Sequence, residues 1–418
     1  MNHGAEPSSD NGPAELGLGR AFLRNGALLM GSSLVQSLAG FASQLILMRL
    51  LVPADFGGFA LALASVGLVQ VIFSPCLGTL AILARDDEYT EDFRYRLNSA
   101  MAIEAVFSLV LMLIWQAMVG ISSLWVFPLI LTLALGHWLN SVTTFFERGM
   151  PYRHLTAIET GSQVTGHAAA LLLALAGAGV ASLYLREAVV VVVRLAMMLR
   201  IGAIPRWPLR WVSLAEWRGL LTATRVPWLD GIVDGGFQRL VTLAVGMLCG
   251  THGTGLFVQA QRLALVPHQL LSPVVVRLAG NVFCRVGGHD AFHTLVRIGG
   301  LLFLLLAGAA AGAWTFADVV IPWLFGAGWR EAGPVMAAMA GVVLGYSMFE
   351  LVRAYCLAQR QNALLLTGRA MQYVIFGLGC LLVAGDASAA RLGIVMSAVA
   401  VLSATTLITG LAIRRSVR

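Results

Sequence analysis

Roughly twelve stretches of about 20 or more mostly apolar residues follow one another along this chain, at 22–50, 56–84, 97–119, 124–146, 155–177, 181–201, 219–249, 253–286, 291–313, 331–358, 363–384 and 389–413. Hydrocarbon offers no water to backbone amides, so each stretch must satisfy its own polar groups as a helix. Composition agrees: 58% of residues are hydrophobic, 12% are charged and mean hydropathy is +0.81, which is more apolar surface than a soluble fold can cover. The fold class that follows is all-α integral membrane, with about twelve transmembrane helices.

An even number of spans puts both termini on one side, and arginine chooses the side. All 28 basic residues are Arg, with no Lys. The two termini and alternate loops hold Arg85, Arg94, Arg96, Arg148, Arg153, Arg200, Arg206, Arg210, Arg218, Arg285, Arg360 and Arg414, whereas the opposite loops hold little beyond Arg49, Arg330 and Arg391. The positive-inside rule makes both ends cytoplasmic. Residues 1–19, rich in Gly, Pro, Ser and Asn, read as a disordered cytoplasmic tail rather than a secretory signal. The basic pI near 9.6 then reflects topology and anionic inner-leaflet lipid, not nucleic acid. Absence of Lys suggests a GC-rich bacterial genome, and hence an inner membrane.

Several chemistries are excluded. The five cysteines (Cys76, Cys249, Cys284, Cys356, Cys380) stand singly, without C-x-x-C spacing, and the eight histidines form no metal signature. No metal or cofactor is expected. External loops are too short for a catalytic domain and no phosphate-binding glycine loop appears, so an ATP-driven pump or a membrane polymerase or ligase is disfavoured.

Charges also stand where hydrocarbon should be. Arg225, Arg239, Arg262 and Arg353 lie inside apolar runs, together with Asp230, Asp234 and Glu350. A charge at the bilayer centre costs about 3 kcal/mol on insertion scales, so such residues face a cavity and contact something. With about 1.5 Å of rise per residue and span centres assumed near Asp234 and Pro267, Arg239 and Arg262 reach one depth in the outer half. Arg225, Arg277, Arg353 and Arg369 form an inner tier, with Asp230, Asp234 and His268 between. Two alternatives stand beside this reading: Arg225 and Arg277 could snorkel, and Asp234 with Arg239, or Glu350 with Arg353, could be internal ion pairs.

The polar linker at 202–218 divides the spans six and six. Residues 51–62, LVPADFGGFALA, align without a gap on 249–260, CGTHGTGLFVQA, each after the first long helix of its half. Two pseudo-symmetric six-helix bundles follow, at 20–201 and 219–418, with a substrate path between them. Pro227, Gly235 and Gly236 in span 7, and Pro267 and Pro273 in span 8, are candidate hinges for rocking, or static kinks that shape the cavity.

The string RLLVPADFGGFALA at 49–62 resembles the R-x-L-x-P-x-x-F-G element that opens bacterial polysaccharide flippases of the Wzx type. FERGMPYRHLTAIE at 146–159, GLFVQAQRLALVP at 255–267 and LFGAGWREAGPVM at 324–336 resemble later elements of that family, in its order. The resemblance implies membership of the superfamily that also holds multidrug exporters and the lipid II flippase. The lipid II flippase would be expected to have two further C-terminal spans. The implied activity is alternating-access transfer of a polyprenyl-pyrophosphate-linked oligosaccharide, an O-antigen, capsule or exopolysaccharide unit, across the inner membrane. Such a transporter is not an enzyme. Partners would be the lipid-linked glycan, membrane lipids, and polysaccharide polymerase or chain-length proteins.

Guanidinium groups bind phosphate oxygens bidentately, so Arg225 and Arg353 would capture the head and Arg239 and Arg262 receive it. Gln259 and Gln261 would offer hydrogen bonds to sugar hydroxyls. Asp230 and Asp234, one turn apart, and Glu350 would serve as coupling-ion ligands or as counter-ions. The alternative is a multidrug exporter of the same fold, which a cationic cavity argues against.

Overall fold

The computed structural model describes residues 13–120, 123–149, 151–205, 207–269, 283, 288–359 and 361–416. Among these every regular element is helical: α1 (Pro13–Leu50), α2 (Pro53–Phe73), α3 (Gly78–Leu83), α4 (Glu91–Val119), α5 (Val126–Glu147), α6 (Tyr152–Leu175), α7 (Ala181–Arg200), α8 (Leu214–Ala264), α9 (Gly288–Phe325), α10 (Ala332–Ala338), α11 (Ala340–Ala358), α12 (Asn362–Val383) and α13 (Ala389–Ser416), with two short 3-10 turns.

Nine of the described helices are long and apolar enough to cross a membrane. One of them, α8, has 51 residues, about 76 Å at 1.5 Å per residue, and a hydrocarbon core is about 30 Å thick. It crosses twice, because Gly250 (φ 68, ψ −173) breaks the helix; the positive φ is one that glycine alone adopts without strain. The second limb starts at Thr251, and its continuation beyond Gln269 lies outside the described residues. Helices α6 and α7 are as long as the others but carry Glu159, Gln163 and His167, or Arg186, Glu187 and Arg194, which depress their hydropathy. Counting α8 twice and adding α6 and α7 makes twelve crossings, as the apolar runs predict.

Some boundaries differ from expectation. Helix α1 begins at Pro13, inside the stretch read as tail; proline suits a first helical turn, and the Ala-Glu-Leu that follows favours helix. Residues 1–12 lie outside the described set. The linker is shorter than 202–218, since Ser213 caps α8: its hydroxyl accepts the Glu216 N–H at 3.3 Å, and its own N–H donates to Glu216 Oε2 at 2.8 Å. Span 9 continues to Phe325 because residues 314–325 are apolar apart from Thr315 and Asp318. The second span is α2 plus α3, interrupted at 74–77, and the tenth is α10 plus α11, broken at Met339.

Two bundles result. In the first, α6 packs on α1 and α7, and α5 on α3, α4 and α7; in the second, α13 packs on α11 and α12, and α9 on α10 and α11. Between them α2 runs antiparallel along the first limb of α8. Gly246 admits Leu61, Gly67 admits Arg239, Val71 lies against Gly235, and the Cys76 thiol lies against Gly231. Small residues let the two helices approach closely, as membrane helix pairs require. Outward faces keep large apolar side chains exposed, such as Leu382, Met247 and Trp323, which suits hydrocarbon.

The candidate hinges are not uniformly breaks. Helix α8 continues through Pro227, Gly235 and Gly236. It ends at Ala264 with Leu265 in a turn, two residues before Pro267. Pro273 lies outside the described residues.

Candidate functional site

A cavity of about 600 Å³ opens between the bundles, walled by α1, α2, α6, α7, both limbs of α8 and Phe325. Three guanidinium groups line it: Arg186 on α7, and Arg239 and Arg262 on α8. His167, Gln44 and Gln259 add polar groups, while Leu34, Leu38, Phe41 and Phe59 supply an apolar wall. No carboxylate stands among the described lining residues.

Each guanidinium is held differently. Arg262 is exposed to the cavity and donates through Nη1 to Gln44 Oε1 at 2.8 Å; Gln44 Nε2 in turn donates to Gln259 Oε1 at 3.0 Å, so α1 and α8 are tied across the bundle boundary. Arg239 donates Nη1 to the Gly235 carbonyl at 3.1 Å, and its Nε is buried without a partner. Its stem lies over Gly67, where an added Cβ would come within 2.6 Å of Nε. Arg186 pairs with Glu187 at 2.6 Å and reaches Gln163 Oε1 at 3.3 Å and His167 Nε2 at 3.5 Å. Arg239 and Arg262 make no ion pair among the described residues, so the site keeps positive charge.

The expected outer pair, Arg239 and Arg262, is therefore brought together, and the first bundle adds Arg186, His167 and Gln44. Sequence reasoning overlooked those three. Their signal was the same as for the others, polar residues in apolar runs, but nothing in sequence registers them against α8. Gln259 lines the cavity; Gln261 does not. Two residues apart on a helix is about 200° of rotation, and Gln261 Nε2 turns instead to Gln238 Oε1 at 3.4 Å, which continues to the Tyr346 hydroxyl at 3.2 Å.

The expected inner tier forms a separate, charge-balanced group in the second bundle. Arg353 pairs with Glu350 at 3.0 Å, one turn away, and Asp230 and Asp234 lie within its electrostatic reach. Asp234 pairs with Arg369 at 2.7 Å rather than with Arg239. Five residues of separation turn Arg239 about 140° away from Asp234. Arg369 also lies over the Phe349 ring at 5.2 Å. His268 Nδ1 is 3.3 Å from the Ser347 hydroxyl. Arg225 is exposed and does not line the cavity; Arg277 lies outside the described residues.

At the end away from the linker the cavity is closed by the two repeated segments. Gly57 and Gly255, equivalent in the alignment, lie against each other. Trp329 Nε1 donates to the Met48 carbonyl at 2.6 Å with its ring 5.4 Å from Phe56, and Arg49 donates to the carbonyls of Leu324 and Trp323 at 3.1 Å. At the linker end Arg210 joins Asp92 and Glu216, and Arg148 joins Asp86 at 2.5 Å. Among the described residues no group of three or more His, Cys, Asp or Glu could hold a metal, and Cys76, Cys249, Cys356 and Cys380 are free thiols.

Comparison with known proteins agrees with this geometry. The chain is similar to the succinoglycan biosynthesis transport protein ExoT of Rhizobium meliloti (strain 1021), at 25% identity over 72% of this chain and 62% of that protein's length. Its fold is that of the lipid II flippase MurJ in an inward closed conformation (TM-score 0.71, 12% identity, 91% of this chain and 87% of that one). An inward-facing multidrug resistance transporter of the MATE family is also similar (TM-score 0.61, 14% identity, 91% and 94%). Two bundles of membrane helices around a central cavity are thus this fold. The family model described as polysaccharide biosynthesis protein matches residues 46–334, well over half of the chain, and it is to this family of membrane proteins that the chain belongs.

Proposed function

We propose that this chain is a flippase that carries a polyprenyl-pyrophosphate-linked oligosaccharide across a bacterial inner membrane by alternating access, with the linker end and both termini cytoplasmic. The observation that carries the reading is the charge of the cavity: Arg186, Arg239 and Arg262 line it, and of the three only Arg186 has a carboxylate partner, Glu187, among the described residues, so the cavity keeps a net positive charge. A pyrophosphate head brings the negative charge those groups lack, and guanidinium binds it through paired N–H donors. Gln44 and Gln259 offer neutral hydrogen bonds to the first sugar. Leu34, Leu38 and Phe41 on α1 form an apolar wall along which the polyprenyl chain stays in hydrocarbon. A volume of about 600 Å³ falls within the about 300–1,000 Å³ of small-ligand pockets, so the cavity takes the head and first sugar while the rest projects.

The same fold in multidrug exporters leaves an organic cation as the other candidate cargo, and three guanidinium groups would repel it. Polysaccharide polymerase and chain-length proteins are the expected downstream partners, since they consume the product in the outer leaflet. In a strain lacking the gene, Arg239→Ala and Arg262→Ala chains expressed at normal level are expected to leave surface polysaccharide low and lipid-linked precursor accumulated on the cytoplasmic side. Wild-type polysaccharide from both variants would sink the reading.

A further inference from the structure

A second cavity, of about 770 Å³, lies at the linker end of the first bundle and shares no lining residue with the cavity between the bundles. The start of α4 and the ends of α5 and α7 frame it. Helix α7 stops at Arg200; Gly202 (φ 69) then reverses the chain, and the Ala203 N–H donates to the Met198 carbonyl at 2.9 Å. Trp207 anchors the segment that follows: its ring meets Phe145 at 5.0 Å, and the Arg94 guanidinium carbon lies 5.3 Å from it. The Tyr89 ring is 5.7 Å from the Arg94 guanidinium carbon and 4.2 Å from that of Arg148. Phe145, Phe146 and Ile204 add an apolar wall.

Arg94 and Arg148 are the charged lining residues, and no carboxylate lines the cavity among the described residues. Arg148 is held in place by the frame: Nη1 donates to the Ala81 and Ala84 carbonyls at 2.9 and 2.6 Å, and Nη2 pairs with Asp86 at 2.5 Å. Arg94 is less engaged. Its ion pair with Glu91 is long, 3.6 Å, and its Nε has no hydrogen-bond partner among the described residues. Both carboxylates stand in water, Asp86 fully exposed and Glu91 76% exposed, whereas Arg94 and Arg148 are 29% and 19% exposed. Exposed partners are screened and contribute little, so the cavity keeps positive charge for an anion.

The cavity also sits at the bilayer boundary, where the membrane helices end. Four residues beyond Trp207, Trp211 is 87% exposed, and Leu209 between them is 67% exposed; exposed tryptophan at a helix end marks the headgroup level. Basic pockets between helix ends at this level hold anionic headgroups. We infer that this cavity binds the headgroup of an anionic phospholipid. The phosphodiester accepts hydrogen bonds from the Arg94 and Arg148 guanidinium groups, the glycerol carbons lie on Phe145 and Ile204, and the acyl chains stay in the bilayer. A zwitterionic head brings an ammonium that two guanidinium groups repel and that no described lining carboxylate receives. The volume falls within the about 300–1,000 Å³ of small-ligand sites. A lipid held there ties the segment after α7 to α4 and α5, whatever the cargo of the other cavity.

Native mass spectrometry of the delipidated full chain, titrated in detergent with dioleoyl phosphatidylglycerol or dioleoyl phosphatidylcholine, tests this. Wild type is expected to bind one phosphatidylglycerol at least about tenfold more tightly than phosphatidylcholine, the affinity of one charge-assisted contact. Arg94→Gln is expected to abolish that preference. Arg85→Gln, which removes a 77% exposed arginine outside the cavity, is expected to keep it. A second measurement needs no variant: phosphatidylglycerol with a photoactivatable headgroup, in nanodiscs holding the wild-type chain, is expected to label residues 89–94, 145–149 or 202–207. Equal affinity for the two lipids, an unchanged preference in Arg94→Gln, its loss in Arg85→Gln, or labelling confined to other segments overturns the site. Displacement of the lipid by an equal concentration of glycerol phosphate overturns the lipid assignment in favour of a free phosphate ester. Because no glycan enters either measurement, failure here leaves the polysaccharide assay on Arg239 and Arg262 untouched.

Discussion

Gly57 and Gly255 hold the same position in the two repeated segments, and each is packed into the other's turn: a Cβ on Gly57 would lie 1.7 Å from the Thr251 carbonyl oxygen, and one on Gly255 1.8 Å from the Pro53 carbonyl oxygen. Thr251 and Pro53 are themselves equivalent in the alignment. The contact is therefore reciprocal, as a two-fold relation between the two segments demands.

Since the obstructing atoms are backbone oxygens, no rotamer change relieves the clash. Gly57→Ala or Gly255→Ala is expected to force this end of the cavity open. Overpacking costs about 1–3 kcal/mol, a roughly 5- to 150-fold shift in the ratio of closed to open forms. A cysteine placed at Thr242, which lines the cavity, in a chain without native cysteines should react faster with an impermeant maleimide added to intact cells. Unchanged labelling would refute the gate.

Gly67 positions the Arg239 guanidinium, because a Cβ there would stand 2.6 Å from Nε. Gly67→Val should reproduce the loss of polysaccharide expected for Arg239→Ala while leaving every charge in place. Gly67→Ala should be milder. Normal export from the valine variant, at normal chain level, would show that the arginine's placement is immaterial.

The Asp234–Arg369 pair, at 2.7 Å, links α8 to α12. Asp234→Asn leaves Arg369, only 11% exposed, without its carboxylate. A double-mutant cycle with Arg369→Gln should give a coupling of about 1 kcal/mol, held down by the 61% exposure of Asp234. The readout is thermal unfolding in detergent; strictly additive changes would mean the pair contributes nothing.

At the linker end, hydrogen bonds from the Ser213 backbone and hydroxyl, aided by Arg210 and Arg96, hold the Glu216 carboxyl below its ordinary range. A carboxyl that binds its proton less tightly when folded adds stability above the ordinary carboxylate pKa, and loses it as pH falls through the folded value. Wild type should therefore unfold at a higher temperature than Glu216→Gln at neutral pH, and the two should converge in acid. A constant difference across the series would contradict this.

A fold of twelve crossings in two bundles was legible because hydrophobic length and a gapless internal match are properties of the chain itself. Even the break at Gly250 falls in the interval between the expected spans. Arg239 and Arg262 were legible as a pair because depth follows from rise per residue. The pairing of Asp234 was not, since a helix knows its own neighbours at three and four residues but not which arginine a distant helix presents. Arg186, His167 and Gln44 escaped for that reason.

What the sequence determined by itself is what hydrocarbon enforces: helices long enough to span it, and buried charges too costly to be without purpose. Rotation about each helix axis and the partner across each seam were decided only by tertiary packing. That packing placed three guanidinium groups around one cavity and paired Arg369 with Asp234 and Arg353 with Glu350.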